Sequence, residues 1–343
     1  MKPTTLTATL TALATAAMFG FMTTQAAAFS ACQITDTGGV DDKGFNQTAW
    51  KGVQDAEAKH GIEGKLLESG AETDYEPNIN SFIAEGCDLI LTVGFLLGDG
   101  TQAAAMANPD QKFSIVDYAY DPVVPNILGQ VFATDEAAFL AGYLAAGVTE
   151  SGVVGTFGGI NIPPVTIFMN GFVHGVNYYN AQKGADVQVL GWDVGSQEGL
   201  FTNNFSNLDD GRTFAQNLYD EGADIVMPVA GPVGLGSAAL ASELGTDKLK
   251  IIGVDVDQYL TDPEHAGVYL TSVEKKMDAT VMQAIEAAMD GSFAGGVIVG
   301  TLDNGGVGLA PFHDLESAVS DELKGELDTI RSGIIDGSIS VKG

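Results

Sequence analysis

Residues 31–50 read Ala31-Cys32-Gln33-Ile34-Thr35-Asp36-Thr37-Gly38-Gly39-Val40-Asp41-Asp42-Lys43-Gly44-Phe45-Asn46-Gln47-Thr48-Ala49-Trp50. A short apolar run ends on a carboxylate, a glycine-bearing turn follows, and helical periodicity then begins. Residues 31–36 therefore read as a strand and 47–59 as a helix. The unit recurs down the chain. Strands are expected over 65–68, 88–94, 113–117 and 127–132, with helices over 75–85 and 100–108. A long helix follows to about residue 146, with Thr134 or Asp135 as its capping candidate.

The alternation then restarts. Strands are expected over 153–157, 187–192, 224–229, 249–255 and 268–273, and helices over 164–180, 209–221 and 234–244. A helix over 276–289, a glycine-rich extended tail over 297–312 and a last helix over 315–335 complete the reading. Alternating strands and helices build parallel sheets covered on both faces. Two such series give an α/β chain of two lobes, each a doubly wound parallel sheet.

This layout bears on the two cysteines. Cys32 starts the first strand and Cys87 precedes the third. In a sheet of order 2-1-3 these strands are parallel neighbours, so both thiols lie at the same end. Strand spacing of about 4.8 Å suits a disulfide; the alternative is two buried free thiols. Export favours the bond.

Export is read from the N-terminus. Lys2 precedes an apolar run from about Leu6 to Met22 and the small residues Ala26, Ala27 and Ala28. A cation, a short apolar run and small residues make a secretory signal over 1–28. The run is shorter than the roughly 20 residues a membrane span needs. Phe29-Ser30-Ala31-Cys32 also loosely resembles a lipoprotein cleavage box. The expected location is periplasmic or extracellular.

The formal charge of −30 argues against nucleic acid and anionic membranes as partners. Sequence motifs for catalysis are weak. Asp36-Thr37-Gly38 is the tripeptide of aspartic proteases, but no second copy supplies the partner carboxylate. No P-loop, Gly-x-Ser-x-Gly or His-Glu-x-x-His pattern occurs. His60, His174, His265 and His313 are scattered, which suits surface or packing roles over metal binding. Neither catalysis nor a cofactor is expected.

In open α/β sheets ligands bind beyond the carboxyl ends of strands. Those places hold Asp36, Gly94-Phe95, Asp117-Tyr118, Gly158-Gly159, Ala230-Gly231 and Asp255-Val256-Asp257-Gln258. Carboxylates accept hydrogen bonds from sugar hydroxyls, rings stack on flat bases, and glycines admit close backbone approach. A nucleoside or a sugar fits such a set.

The stretch from Thr35 to Trp50 closely resembles the signature of the BMP family, extracytoplasmic solute-binding proteins of ABC transporters, and is similar to its purine nucleoside receptor group. Val93-Gly94-Phe95-Leu96, Ala138-Phe139-Leu140-Ala141-Gly142-Tyr143, Ile252-Gly253-Val254-Asp255-Val256-Asp257-Gln258 and Thr271-Ser272-Val273-Glu274-Lys275 agree in order. The resemblance implies the type I periplasmic-binding fold, two lobes joined by three crossovers that close on ligand. It places 29–132 and 272–295 in an N-terminal lobe, and 133–271 and 296–343 in a C-terminal one. A monomer working with an ABC permease and ATPase is implied.

By the same resemblance the ligand is a nucleoside. Phe45 and Phe205 sandwich the base, with Phe201 the alternative to Phe205. Asp36 and Asn46 meet the base and Asp117 is a further polar contact. Asp255 and Lys275 hold the ribose, with Lys276 the alternative lysine, and Gly231 gives backbone approach. Simpler readings make Asp36 a helix cap and Phe45 interlobe core; Asp41 and Asp42 read as loop formers. Gly44, Tyr118 and Pro232-Val233 depart from the family's usual residues and bear on the exact ligand.

Overall fold

The computed structural model describes residues 28–342 together with Met1, Pro3 and Thr4; the expected secretory leader otherwise lies outside the described residues. The chain begins with β1 (Ser30–Ile34), α1 (Phe45–His60), β2 (Glu63–Leu67), α2 (Tyr75–Glu85), β3 (Leu89–Val93), α3 (Gly98–Ala107), β4 (Lys112–Val116) and β5 (Ile127–Phe132). Then come α4 (Thr134–Val148), β6 (Val153–Gly158), α5 (Pro163–Lys183), β7 (Gln188–Leu190) and a small hairpin of β8 (Trp192–Asp193) and β9 (Glu198–Gly199). The second series continues through α6 (Leu208–Asp220), β10 (Ile225–Val229), α7 (Val233–Leu244), β11 (Lys250–Asp255), α8 (Gln258–Thr261) and β12 (Tyr269–Lys275). Last are α9 (Met277–Asp290), β13 (Gly296–Gly300), β14 (Val307–Leu309) and α10 (Asp321–Ile335).

The first sheet runs β13-β5-β4-β3-β1-β2 and is wholly parallel. The second runs β14-β12-β11-β10-β6-β7, parallel except for β14. Central strands such as Leu89–Val93 and Ile225–Val229 are buried throughout. Helices cover both of their faces, so no polar alternation is required of them.

The lobe boundaries differ from those expected. Residues 272–275 complete β12 in the second sheet, and the chain returns to the first lobe only at α9, which packs on α1. Residues 296–300 then form β13, the edge strand beside β5, so they belong to the first lobe. The crossovers fall at residue 133, at 276 and between 300 and 307. A Val-Ile-Val run fits either sheet edge; the docking of α9 decides which edge it reaches.

Smaller differences have local causes. Neither Thr134 nor Asp135 caps α4: the N-cap is Ala133, without a side-chain bond. The strand expected over 187–192 breaks at Gly191, which takes a positive φ of 89°. The last helix is divided, because Ser320 turns the chain and caps α10 through Leu323 N–H.

Cys32 and Cys87 are disulfide-bonded, with Cα atoms 6.3 Å apart. They join β1 to the chain two residues ahead of β3, its parallel neighbour. The second lobe is held differently. Helices α4 and α5 pack with glycines at the contact, where a Cβ on Gly142 would strike the Phe172 carbonyl and one on Gly175 the Phe139 carbonyl. Among the described residues no helix is long and apolar enough to cross a membrane.

Candidate ligand-binding cleft

The carboxyl ends of both sheets face a shared cleft. A cavity lies there, walled by residues of both lobes. Asp36, Phe45, Asn46, Asp117, Phe205, Gly231, Asp255 and Lys275 all line it. The first lobe supplies Asp36, Phe45, Asn46 and Asp117; the second supplies Phe205, Gly231, Asp255 and Lys275.

Each polar group is positioned by a strand end. Asp117 follows β4 and Asp255 ends β11, and both adopt positive φ, 66° and 72°. That conformation is uncommon outside glycine and is stabilised here by surrounding contacts. Gly231, after β10, also has positive φ, 54°. Lys275 ends β12 at a crossover. Its Nζ donates to Asp117 Oδ2 at 2.8 Å and lies 3.1 Å from Asp255 Oδ1. The trio thus ties one lobe to the other.

Lys275 is only 4% exposed. Its Nζ stands 4.6 Å from the Phe45 ring centre and 5.5 Å from that of Phe168, close enough for cation–π attraction. Burial opposes its charge, but Asp117 and Asp255 overcome that and hold its pKa above the ordinary lysine value. Burial pushes the Asp117 carboxyl up, with Lys275 opposing. Two carboxylates share one ammonium, so the cluster keeps a surplus of acceptor capacity. Ligand hydroxyls are the natural donors to it.

Asp36 and Asn46 form a second polar group. Asn46 Nδ2 donates to Asp36 Oδ1 at 2.7 Å and to Asp42 Oδ2 at 3.0 Å, while its Oδ1 accepts from Asp36 N–H at 3.2 Å. Both amide hydrogens of Asn46 are therefore engaged within the protein. Asp36 Oδ1 also accepts from Gly38 N–H, which leaves Oδ2 as the oxygen of that carboxylate without a donor among the described residues. Burial pushes the Asp36 carboxyl up, Asn46 and Gly38 hold part of the rise back, and Asp255 and Asp117 add to it.

The helix-cap role considered for Asp36 falls to Asp42 instead. Its carboxylate accepts from the N–H groups of Gly44, Asn46 and Gln47 at the start of α1. Burial still pushes its pKa up to about 6. Asp42 reaches the cavity wall while shaping this loop.

The two open choices separate cleanly in space. Phe205 lines the cavity, and a Cβ on Gly159 would strike its ring. Phe201 instead packs edge-on against Trp192, ring centres 5.8 Å apart. Lys276 points to Glu274 at 2.7 Å and is partly exposed, whereas Lys275 is buried in the cavity wall. Sequence reasoning did not single out the apolar wall from the first turns of α5, namely Ile162, Pro164, Val165 and Phe168. The signal available was the Pro163-Pro164 helix start a short loop after the end of β6. Among the described residues no cluster of His, Cys, Asp and Glu is arranged to hold a metal ion.

Residues 29–343 match the family model Bmp, ABC transporter substrate-binding protein PnrA-like. The ABC transporter nucleoside-binding protein BmpA of Lactococcus lactis subsp. cremoris is 35% identical, covering 90% of this chain and 87% of that protein. Basic membrane protein A of Borreliella burgdorferi is 33% identical, covering 89% and 85%. The crystal structure of ABC transporter system solute-binding proteins from Aeropyrum pernix K1 superposes with a TM-score of 0.82 at 25% identity, covering 91% of this chain and 92% of that one. The fold is the type I periplasmic-binding fold, and the chain belongs to the Bmp family of ABC transporter substrate-binding proteins.

Proposed function

We propose that the chain is an extracytoplasmic receptor that delivers a purine nucleoside to an ABC importer. The observation that carries this reading is the pairing of Phe45 and Phe205, rings from opposite lobes on one cavity that the carboxylates of Asp36, Asp42, Asp117 and Asp255 also line. A flat base between the rings places its edge against Asp36 Oδ2, which accepts from a base N–H. The pentose hydroxyls go to Asp255 and Lys275, with Asp117 completing the cluster. Asn46 acts on the base through Asp36, since its own amide is occupied. The name of the Lactococcus relative supports a nucleoside over a free sugar. No bond is made or broken: binding bridges the lobes, and the closed form is the one offered to the permease.

Thermal shift with adenosine, guanosine, inosine, uridine, cytidine and ribose tests this by mass action. A shift of several degrees with purine nucleosides is expected. A shift with ribose alone would overturn the nucleoside reading and leave a sugar receptor, and release of free base on incubation would show an enzyme instead.

A further inference from the structure

We infer that the Thr261 hydroxyl and the Lys43 carbonyl form a latch that holds the lobes closed over the cavity. This rests on the receptor reading above, and not on which ligand fills the cleft. Thr261 ends α8 in the second lobe. Its Oγ1 donates to the Lys43 carbonyl of the first lobe at 2.6 Å, across 218 residues of sequence. Neither residue lines the ligand cavity. Among the described residues this is the one hydrogen bond that joins the lobes outside the crossovers and the Lys275 cluster.

Its position decides what it does. Lys275 ends β12 at a crossover, so its bond to Asp117 can survive a hinge motion. Lys43 lies in the loop after β1, and β1 stands three places from β5, the strand that leads into the crossover at residue 133. Three strand spacings are roughly 14 Å, so a rotation about the crossovers draws Lys43 away from Thr261. Pro232 of the second lobe approaches the same loop: a Cβ on Gly38 would lie 3.7 Å from its Cγ.

Both halves of the latch are braced within their own lobes. Lys43 takes a positive φ of 58°, uncommon for a residue with a side chain. Asp42 holds the loop through the N–H groups of Gly44, Asn46 and Gln47, and Glu68 accepts from Val40 N–H at 2.8 Å. On the other side, α8 is pinned before and after Thr261. Gln258 N–H donates to Ser272 Oγ at 3.1 Å, the Tyr259 ring stacks on His313 with centres 4.0 Å apart, and Asp262 accepts from the Tyr269 hydroxyl at 2.8 Å. Two groups held in this way cannot follow each other when the lobes part. The bond therefore belongs to the closed form alone, and it raises affinity by raising the closed fraction.

Single-molecule energy transfer counts open and closed molecules, with dyes on Asp110→Cys and Asp186→Cys, exposed sites in the first and second lobes. Calorimetry with adenosine, guanosine, inosine, uridine, cytidine and ribose runs beside it. Thr261→Val should lower the closed-to-open ratio roughly 2- to 10-fold, the scale of one hydrogen bond. Every compound that binds should weaken by that same factor, and Thr261→Ser should keep both quantities near the parent. An unchanged ratio in the Val variant, even with weaker binding, would make Thr261 a merely structural residue and overturn the latch. A loss confined to one compound would make it a ligand contact instead, and a Ser variant as weak as Val would show that the hydroxyl is not the working group. Binding of ribose alone ends the nucleoside reading and leaves the latch standing. If nothing binds, the nucleoside reading falls, and an unchanged ratio in the free protein then ends the latch as well.

Discussion

The two lobes share a six-stranded plan but are held together by different means. The first is stapled across β1 and β3 by Cys32–Cys87. The second has no such bond among the described residues; its α4 and α5 approach closely through Gly142, Gly171 and Gly175. A covalent link acts mainly on the unfolded chain, whereas close helix packing acts on the folded one. The lobes should therefore respond to different perturbations. Each carries one tryptophan, Trp50 on α1 and Trp192 on β8, so single-tryptophan variants report on them separately.

The largest effect is expected from Gly175→Val. Its side chain would enter the space of the Phe139 carbonyl and force α4 from α5. A loss above about 4 kcal/mol is expected, at the extreme for point changes. The Trp192 unfolding transition should move far more than that of Trp50; equal movement would show that the lobes unfold as one unit.

Lys275→Met comes next and strikes the junction between lobes. It leaves Asp117 and Asp255 buried without their cation, which typically costs about 3–5 kcal/mol. Both tryptophan transitions should fall and ligand binding should be lost. A variant of unchanged stability would show that the trio is not a structural link.

Breaking the staple should act on the first lobe. Cys32→Ser with Cys87→Ser is expected to cost about 2–4 kcal/mol, read as an earlier Trp50 transition in denaturant. If only Trp192 responds, the assignment of mechanisms to lobes is reversed.

The rings test the lobes as ligand-binding partners. Phe45→Ala and Phe205→Ala should each weaken nucleoside binding by roughly 1–3 kcal/mol, the scale of base stacking on an aromatic ring. Phe201→Ala should leave affinity near that of the parent protein, because that ring packs on Trp192. Calorimetry that finds the Phe201 variant worse than the Phe205 variant would exchange their roles.

The smallest effect concerns pH. Burial raises the carboxyl pKa values of Asp36, Asp42 and Asp117, all in the first lobe, with Asp42 near 6. The folded state then holds protons that the unfolded state releases near its ordinary value of 3.8. Their contribution to stability is greatest at low pH and is lost as pH rises through about 6. The Trp50 transition should thus be more resistant at pH 5 than at pH 7.5, by on the order of 1–2 kcal/mol. Asp42→Asn should reduce this dependence; a steeper one would contradict the shift.

Much of this organisation was legible in residue order. Apolar runs punctuated by glycines located the strands, and the carboxylates and glycines after them marked the cleft. Asp36, Asp117, Gly231 and Asp255 could be named because a strand end projects its next residue toward the ligand side. Acidity and a two-lobed α/β plan likewise follow from composition and periodicity, which local chemistry writes directly into sequence.

Pairing across distance had to come from the folded chain. Which edge β13 joins, whether Phe201 or Phe205 lines the cavity, and that Lys275 bridges Asp117 to Asp255 all depend on packing between segments far apart in order. Asn46 looked like a base-edge contact until its amide proved engaged by Asp36 and Asp42. Thr134 looked like a helix cap until α4 began one residue earlier and left its hydroxyl buried. A side chain's type is fixed by the sequence, but its partners are set by which surfaces burial brings together.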